Sequence, residues 1–406
     1  MVNMILNPGQ ERVAQDAVNF FKYSSDQVFQ MCGGPGTGKS LTMNEIKNRL
    51  IREKLINESE IVAMAYTGQA AIVMRNKGFP NARSIHSTLY TPTNIAQISR
   101  NGNILMNTKY NAPVMDIGFV PKPYLEGKKI MFIDEGRMVP LLMKRTIESY
   151  GIKIIVAGDP GQLGPIDDEP AYLVDGKIHY LTQIMRQAEN SGIVYLANRA
   201  LAGLPIQKGF YGNALVIDTN DITDEMIKYS DVIICGRNKT RDIYNEKVRR
   251  NILKINTDIP IYGERVICRQ NNWNIEIGGI SLANGLTGTC ISMPNMSSFD
   301  GNMFTMDFLP DMLNEPFMNL VCDYRYYMAP SELKNEIKND KYHNYGNKFD
   351  LAYALTTHLS QGAEYSCGMY IEEKLGDGRE SRNLNNTGIT RFRNAAIYVI
   401  PAKKYW

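Results

Sequence analysis

The sequence predicts an α/β fold built on parallel sheets, and three observations support this class. Residues 28–32 form a short apolar run typical of a buried strand, and a glycine-rich turn at residues 33–40 follows it. Apolar residues at helical spacing come next, as Leu41, Ile46 and Leu50. Later apolar strands alternate with helical stretches and end in polar clusters, as in a parallel sheet whose binding groups gather at the carboxyl ends of its strands.

The bulk composition is that of an ordinary globular protein. The chain has 406 residues, of which 44% are hydrophobic, and this length predicts two to four folding units. A net charge of +3 neither requires nor excludes a polyanionic partner. The first dozen residues include Asn, Gln and Glu, and no apolar stretch approaches the roughly 18 residues that span a bilayer, so we expect neither a signal peptide nor a membrane span.

The cysteines predict a reducing compartment. They show no C-x-x-C spacing and no histidine at ligand spacing, which favours free thiols over zinc or disulfides. The six are Cys32, Cys235, Cys268, Cys290, Cys322 and Cys367. We therefore expect a cytoplasmic location.

The glycine-rich turn GGPGTGKS has the form of a phosphate-binding loop. Gly33, Gly36 and Gly38 let backbone N–H groups and the helix N-terminus converge on one anion. Lys39 supplies a charge toward the outer phosphates, and Ser40 a hydroxyl for Mg²⁺. The alternative, a chance glycine turn, does not explain why strand, loop and helix follow in this order.

The other elements of the first half can be placed in chain order. Asn7 as N-cap and Pro8 at the first helical position predict an N-terminal helix. Further strands are predicted at residues 61–66, 129–134 and 152–158, and the first is followed by a turn and a helix through residue 74. Residues 88–127 are polar and contain several prolines, and they are too many for a bare loop, so we expect a small inserted subdomain.

A second α/β unit is predicted from about residue 181. Its strands are expected at residues 214–217 and 231–235, with a helix at 239–253. Residues 262–347 contain short β-type runs broken by Gly, Asn and Pro, which predict a small inserted barrel. The sheet is expected to resume with FDLAYALTTH and to continue with CGMYIEE and AAIYVIP.

Two strand ends carry groups suited to nucleotide hydrolysis. Asp134 and Glu135 offer one carboxylate for Mg²⁺ and one to activate water. Gln162 lies in GDPGQLGPI after the next strand, where an amide can sense a γ-phosphate or orient the attacking water. A capped Gly/Pro turn would explain the glycines of that segment but not Gln162.

These residues belong to a longer ordered series. The chain carries GGPGTGKS, AYTGQAA, SIHSTL, FIDEGRM, GDPGQLGPI, LTQIMRQ, ALTTHLSQGAEY and TGITRFRNAAIYV. The series resembles the motif set of superfamily 1 DNA helicases, closest to the RecD/Dda-like branch that moves 5′ to 3′, and it spans nearly the whole chain. The resemblance implies two RecA-like P-loop motor domains with ATP between them and single-stranded DNA across their top.

The resemblance also implies where the domains lie. The first motor domain would cover residues 1–87 and 128–180 and would carry a pin subdomain at 88–127. The second would cover residues 181–261 and 348–406 and would carry a small Src-homology-3-like β-barrel at 262–347.

Transferred to this sequence, the resemblance implies a nucleotide site with Mg²⁺ and ATP as cofactors. Glu135 would act as base and Gln162 as γ-phosphate sensor, while Arg186 and Arg391 would be arginine fingers from the second domain. The implied nucleotide and metal contacts are Gln10 to adenine, Gly33, Gly34, Pro35, Gly36, Thr37, Gly38, Lys39 and Ser40 to phosphates, Ser40 and Asp134 to Mg²⁺, and Gly362 and Glu364 near the ribose and γ-phosphate. For either arginine taken alone, a surface or interdomain ion pair is the alternative.

The resemblance implies a second set of residues that contact DNA. Small hydroxyls, amides and backbone N–H groups suit contacts to phosphates that do not read sequence. The implied residues are Thr67, Gly68, Gln69, Ser84 and His86 in the first domain and Thr356, His358 and Gln361 in the second. Phe119, stiffened by nearby prolines, is expected to stack on a base and separate strands, with anchoring of the loop in the core as the alternative.

The sequence departs from the family pattern at two places. Gly136 and Arg137 stand where a small residue and then Ser or Gln is usual, which bears on how the acids couple to DNA binding. Asn386, Thr387 and Gly388 stand in place of the common aromatic-Thr-Ala, which affects how the strand of Arg391 packs.

The expected function is an ATP-dependent DNA helicase that moves 5′ to 3′ and works as a monomer on single-stranded and forked DNA, with replication, repair or recombination proteins as partners. The alternatives left open are a single-stranded-DNA-dependent ATPase without robust unwinding, 3′-to-5′ polarity, and an RNA substrate. A P-loop kinase has no use for LSQGAEY and GITRFR more than 300 residues downstream. A non-catalytic switch would be expected to lose Glu135 or an arginine finger.

Overall fold

The computed structural model describes residues 6–96, 106–107, 112–113, 115–165, 168–183, 191–296, 301–339 and 346–402. The chain divides into two compact units. The larger unit comprises Met1–Ala82, Leu125–Ile255 and Tyr353–Trp406, and the smaller comprises Arg83–Tyr124 and Asn256–Ala352.

The described helices are numbered in chain order. They are α1 (Pro8–Tyr23), α2 (Lys39–Arg52), α3 (Gly68–Asn76), α4 (Ile85–Leu89), α5 (Leu141–Ser149), α6 (Gly192–Leu201), α7 (Asp224–Tyr229), α8 (Asn238–Glu246), α9 (Tyr324–Met328), α10 (Ser331–Asn339) and α11 (Gly378–Ile389). Short 3₁₀ turns lie at Glu58–Glu60, Gly136–Met138 and Thr219–Asp221, and a π-helical segment, Lys247–Ile252, continues α8. Within the described ranges, no helix is long and apolar enough to cross a membrane.

The described strands are numbered in the same way. They are β1 (Val28–Gly33), β2 (Ile61–Ala65), β3 (Arg83–Ser84), β4 (Tyr90–Ala96), β5 (Met106–Asn107), β6 (Ala112–Pro113), β7 (Met115–Pro121), β8 (Ile130–Asp134), β9 (Lys153–Gly158), β10 (Ile178–Leu181), β11 (Gly209–Tyr211), β12 (Ala214–Asp218), β13 (Val232–Cys235), β14 (Arg265–Cys268), β15 (Asn272–Ile277), β16 (Ile280–Leu282), β17 (Thr287–Cys290), β18 (Asn295–Met296), β19 (Met303–Pro310), β20 (Phe317–Asp323), β21 (Phe349–Leu351), β22 (Ala354–Thr356), β23 (Tyr365–Ile371) and β24 (Phe392–Ile400).

The first sheet of the larger unit places strands β10, β1, β9, β8 and β2 side by side, all parallel. Every residue of β8 is buried, as expected for a strand covered on both faces. Helices α1 and α2 pack on this sheet through an apolar core that includes Val18, Ile46 and Ile155. Asn7 is the N-cap of α1, as predicted, and its Oδ1 accepts from the N–H of Gln10 at 2.9 Å.

The second sheet of the larger unit runs in the order β11, β12, β24, β23, β13 and β22, and it is parallel except for the pair β11 and β12. Helix α11 leads directly into β24, a strand in the middle of the sheet, so the turn between them lies at a sheet end. We call the part built on the first sheet (residues 6–82 and 125–183) the first lobe. The part built on the second sheet (residues 191–255 and 353–402) is the second lobe. The parallel sheets confirm the α/β class.

The smaller unit is mainly antiparallel. Strands β18, β19, β17, β14 and β21 form one sheet with β20 against β19, and two-stranded sheets pair β4 with β7, β5 with β6 and β15 with β16. The expectation that the second parallel sheet resumes with FDLAYALTTH is wrong for its first residues. Phe349 pairs with Cys268 of β14, and its buried ring packs edge to face on Phe308 at 5.1 Å. The parallel sheet resumes only with β22.

Candidate active site

A cavity of about 820 Å³ is lined by residues of both lobes. Its walls come from the phosphate loop and α2, from α3, from the end of β8, and from the turn between α11 and β24. This volume falls within the range of small-molecule and cofactor pockets. The cavity therefore lies where the sequence predicts a nucleotide.

The phosphate loop has the backbone that its glycines permit. Gly36 and Gly38 have φ of 75° and 78°, values that side chains disfavour. A Cβ at Gly33 would lie 2.4 Å from Thr37 Oγ1, so that position is also closed to larger residues. Lys39 Nζ donates to the carbonyl of Gly33 at 2.7 Å, and Lys39 lines the cavity.

Asp134 and Glu135 lie at the end of β8, as predicted. The buried Asp134 accepts from the N–H of Glu135 through Oδ1 at 2.9 Å. Glu135 has a left-handed backbone with φ of 52°, which is strained for a residue with a side chain and is a feature seen at active sites. Burial raises the pKa of Glu135 and the charge of Asp134 adds to this, while Arg391 and Lys39 oppose it.

Gln162 joins the two lobes at this point. With its amide oriented by the hydrogen-bond network, its oxygen accepts from Arg391 Nη2 at 3.1 Å and its nitrogen donates to Glu135 Oε2 at 3.3 Å. Lys39, Glu135, Gln162 and Arg391 therefore line one cavity. Arg186, the other expected arginine finger, lies outside the described residues.

Arg391 is fixed in position by its own lobe. Its side chain is buried, and it donates through Nε to the carbonyl of Thr387 at 3.0 Å and through Nη1 to that of Ala363 at 3.4 Å. Two carbonyls thus hold the guanidinium while Nη2 faces Gln162. This geometry favours a positioned arginine finger over a surface ion pair.

Gly362 and Glu364 also line the cavity. Gly362 has φ of 78°, and a Cβ there would lie 2.7 Å from that of Ala70 and 2.9 Å from Thr67 Oγ1, so the N-terminus of α3 packs directly on it. Glu364 is held by ion pairs rather than left open to a ribose. Its partners are Lys77 and Arg393.

Lys77 and Arg393 are cavity residues that sequence reasoning missed. Burial lowers the pKa of Lys77 although Asp134 and Glu135 lie near enough to oppose the shift. Lys77 follows α3 with no motif to mark it, so no local signal could have identified it. Arg393 could have been found from its place in the chain, two residues beyond Arg391 at the start of β24.

Gln10 does not line the cavity. Its buried amide donates through Nε2 to the carbonyl of Thr37 at 3.0 Å and accepts from the N–H of Asn7 at 2.9 Å. Gln10 therefore supports the phosphate loop, and its contact with adenine stays a prediction.

The residues predicted to contact DNA in the first lobe lie at the start of α3. Thr67 is the N-cap, and its Oγ1 accepts from the N–H of Ala70 at 3.1 Å. Gly68 and Gln69 form the first turn, and among the described residues Gln69 Oε1 has no hydrogen-bond partner although it is buried.

In the second lobe, Thr356 and Gln361 are buried and His358 is half-buried. Thr356 Oγ1 accepts from the N–H of Leu359 at 3.4 Å, and Gln361 Nε2 donates to the carbonyl of Leu163 at 3.3 Å. Burial lowers the pKa of His358, and Glu380 opposes the shift. His358 lines a second, polar cavity of about 380 Å³, whose other residues are Leu163, Gly164, Pro165, Asp377, Arg379, Glu380 and Asn383.

Ser84, His86 and Phe119 lie in the smaller unit. Ser84 is the N-cap of α4 and accepts from the N–H of Ser87 at 3.3 Å. The half-buried ring of Phe119 lies 5.3 Å from that of His86 and meets Trp273 edge to face at 5.4 Å. Tyr90 completes an aromatic cluster at 6.3 Å from Phe119. This packing agrees with the anchoring alternative for Phe119, although the partners belong to the smaller unit.

Comparisons with known proteins agree with the geometry. A family model described as an AAA domain matches residues 5–206, just under half of the chain. An uncharacterized protein of Acanthamoeba polyphaga mimivirus is 24% identical over 180 residues, which is 40% of this chain and 34% of that protein. The chain thus spans about a third of the length of this curated relative.

Three solved structures share the fold at 17% identity. The structure of two coordinating Pif1 helicases at forked double-stranded DNA has a TM-score of 0.54 and covers 97% of this chain and 92% of that chain. Bacteroides Pif1 bound to single-stranded DNA has a TM-score of 0.53, and Bacteroides Pif1 in complex with ADP-AlF3 and single-stranded DNA has one of 0.51, each covering 98% of this chain and 92% of that chain. In its fold the chain is similar to Pif1 helicases, which agrees with the resemblance to superfamily 1 helicases drawn from its motifs.

Proposed function

We propose that the chain is an ATP-dependent DNA helicase that translocates 5′ to 3′ on single-stranded DNA and unwinds duplexes. The bridge formed by Gln162 between Glu135 and Arg391 carries the proposal. Base and arginine finger come from different lobes, so turnover depends on the two lobes being held together. A strand of DNA bound across both lobes would supply that closure.

In this proposal the cavity takes ATP and Mg²⁺. Ser40 and Asp134 would hold the ion, which neutralises charge on the phosphates. No group of three or more His, Cys, Asp or Glu in the described ranges could hold a metal by itself, so phosphate oxygens would complete its shell. Lys39, whose Nζ donates to the carbonyl of Gly33, would supply a positive charge to the outer phosphates.

The remaining roles follow from the positions of the side chains. Glu135 would accept the proton of the attacking water, because it reaches the cavity beside Gln162. Gln162 would orient that water, and Arg391 would stabilise charge on the transferred phosphoryl group, an effect worth roughly 10³ to 10⁵ in rate.

The DNA track is part of the proposal. Backbone and amide groups at the start of α3, together with Thr356 and His358, would contact phosphates without reading bases. Ser84 and His86 would extend these contacts, and Phe119 would lie in the pin. Residues 88–127 would form the pin subdomain, and residues 262–347 a barrel of the Src-homology-3 type.

A cytoplasmic location suits the six unpaired cysteines.

A second candidate is a DNA-dependent ATPase that translocates without robust unwinding. The packing of Phe119 on Trp273 and His86 favours it, because a ring held among its neighbours is less free to stack on a base.

Forked duplexes with a single tail separate these candidates. Unwinding with a 5′ tail, and none with a 3′ tail, is the expected result. A requirement for a 3′ tail would contradict the 5′-to-3′ polarity. ATP hydrolysis without strand separation would favour the second candidate. Stimulation of ATP hydrolysis by RNA to the same extent as by DNA would add RNA to the substrates.

A further inference from the structure

The two places where the sequence departs from its family contact the same short segment. Arg137 Nε donates to the carbonyl of Gln162 at 3.0 Å, and Asn386 Nδ2 donates to the carbonyl of Gly161 at 3.0 Å. We call residues 161–163 the sensor segment. Arg137 belongs to the first lobe and Asn386 to the second, so two adjacent carbonyls accept hydrogen bonds from different lobes.

Two further side chains of the second lobe complete the hold on the sensor segment. The N–H of Leu163 donates to Thr387 Oγ1 at 3.1 Å, and its carbonyl accepts from Gln361 Nε2 at 3.3 Å. Asn386 and Thr387 are fully buried, so a polar group left without its partner there would be costly. A fifth side chain, that of Asp159 in the first lobe, accepts from the N–H of Gly161 through Oδ1 at 2.8 Å. Within the described residues, three of these five side-chain hydrogen bonds to the backbone of the sensor segment therefore come from the second lobe.

The departures supply bonds that the common pattern does not. An aromatic residue at position 386 would offer no amide to Gly161, and a Ser or Gln at position 137 would offer no guanidinium to Gln162. Gly388 also has a packing reason, since a Cβ there would lie 2.1 Å from the ring of Tyr370. The chain has thus exchanged two usual residues for donors aimed at one segment.

We propose that Arg137 and Asn386 are paired positioning residues, which place Gln162 between Glu135 and Arg391 only when the two lobes are closed. The inference rests on the proposed function, because it concerns how closure is transmitted to the γ-phosphate sensor. Separation of the lobes withdraws Asn386, Thr387 and Gln361 and leaves the sensor segment to its partners in the first lobe, Arg137 and Asp159. Closure restores the bonds and fixes the amide of Gln162.

The test compares Arg137→Met and Asn386→Leu, each alone and combined with Gln162→Ala. Measured are maximal ATP turnover at saturating single-stranded DNA, affinity for a fluorescent non-hydrolysable ATP analogue, and melting temperature. Asn385→Leu is the matched control for Asn386, since Asn385 is also buried on α11 but accepts from Tyr370 within its own lobe. Arg145→Met, at an exposed position of α5, controls for loss of an arginine.

Each single variant is expected to lower maximal turnover about tenfold or more, with affinity for the analogue changed less than about threefold. In the Gln162→Ala background the same changes should alter turnover less than about twofold, because their effect passes through Gln162. Losses that multiply in the double variants, or unchanged turnover in the single ones, would overturn the proposal. If Asn386→Leu has a lower melting temperature than Asn385→Leu, its loss of turnover could reflect lost stability. The turnover of Arg137→Met, a change at a half-exposed position, then decides for or against the proposal. Absence of DNA-stimulated turnover in the unmodified chain would instead contradict the proposed function.

Discussion

Replacement of Phe119 by alanine should destabilise the smaller unit by about 3 kcal/mol. A fully buried Phe→Ala change costs about 3–5 kcal/mol, and Phe119 is half-buried, which reduces the loss of apolar burial to about half. Its edge-to-face contact with Trp273, at an interplanar angle of 84°, adds about 0.5–1.5 kcal/mol beyond burial. The two contributions together give about 2–4 kcal/mol, with a central value near 3 kcal/mol.

Tryptophan emission can report this change directly. The chain has two tryptophans, so a Trp406→Phe background leaves Trp273 as the only one, beside the substituted ring. Urea unfolding followed at this residue should give a lower midpoint for Phe119→Ala. Val120→Ala is the matched control, because Val120 is 51% exposed and its loss should cost less than about 0.5 kcal/mol.

A cost for Phe119→Ala as small as that of Val120→Ala would refute the packing argument. The same variant separates the two roles of Phe119 in function. Impaired unwinding of a forked duplex with normal DNA-stimulated hydrolysis would place Phe119 at the strand junction, whereas loss of both together with stability would make it only an anchor.

Three cavity residues of the first lobe could be located from the sequence because each lies in a contiguous motif at a strand end. Lys39, Glu135 and Gln162 are brought together by the parallel order of β1, β8 and β9, which follows from elementary sheet topology. The contact of Lys77 with Glu364 could not be predicted, because 287 residues separate the two and no local pattern encodes the pairing.

The limits of the fold prediction have a similar origin. Alternation of apolar and polar residues looks the same in a parallel and an antiparallel strand, so Phe349–Leu351 could not be separated from Ala354–Thr356 by pattern. The departures at Arg137 and Asn386 were visible in the sequence. Their common target was not, because it depends on how the lobes meet.

Three further results are expected. Arg391→Ala should lower the hydrolysis rate about 10³-fold or more, measured in single-turnover experiments, but should lower nucleotide affinity less than about tenfold. Equal losses of rate and affinity would mean that Arg391 is only a binding or structural residue. Asp311→Asn should destabilise the smaller unit by about 2 kcal/mol at pH 7, because Arg265 holds that carboxylate with two bonds of 2.6 Å. Burial raises the pKa of Asp311, but the bonds from Arg265 and Thr287 lower it more. The stabilisation by this carboxylate should therefore be complete above the ordinary carboxyl range and disappear as pH falls below about 4. A stability difference between variant and parent that persists at such low pH in urea titrations would contradict this expectation. Thiol labelling at pH 8 should modify Cys367 first, because the other five cysteines are buried and burial raises the pKa of Cys32 to about 11. Rapid modification of Cys32 would show that the strand before the phosphate loop is not packed as described.

In the proposed function, DNA brings the two lobes together and so completes a site shared between Glu135, Gln162 and Arg391. ATP hydrolysis measured with Mg²⁺, with and without single-stranded DNA, in the parent chain and in Glu135→Gln tests it most directly. We expect strong stimulation by DNA in the parent and no turnover above background in Glu135→Gln, with Lys39→Ala equally inactive and both variants folded by circular dichroism. Hydrolysis indifferent to DNA, or substantial turnover in Glu135→Gln, would contradict the account.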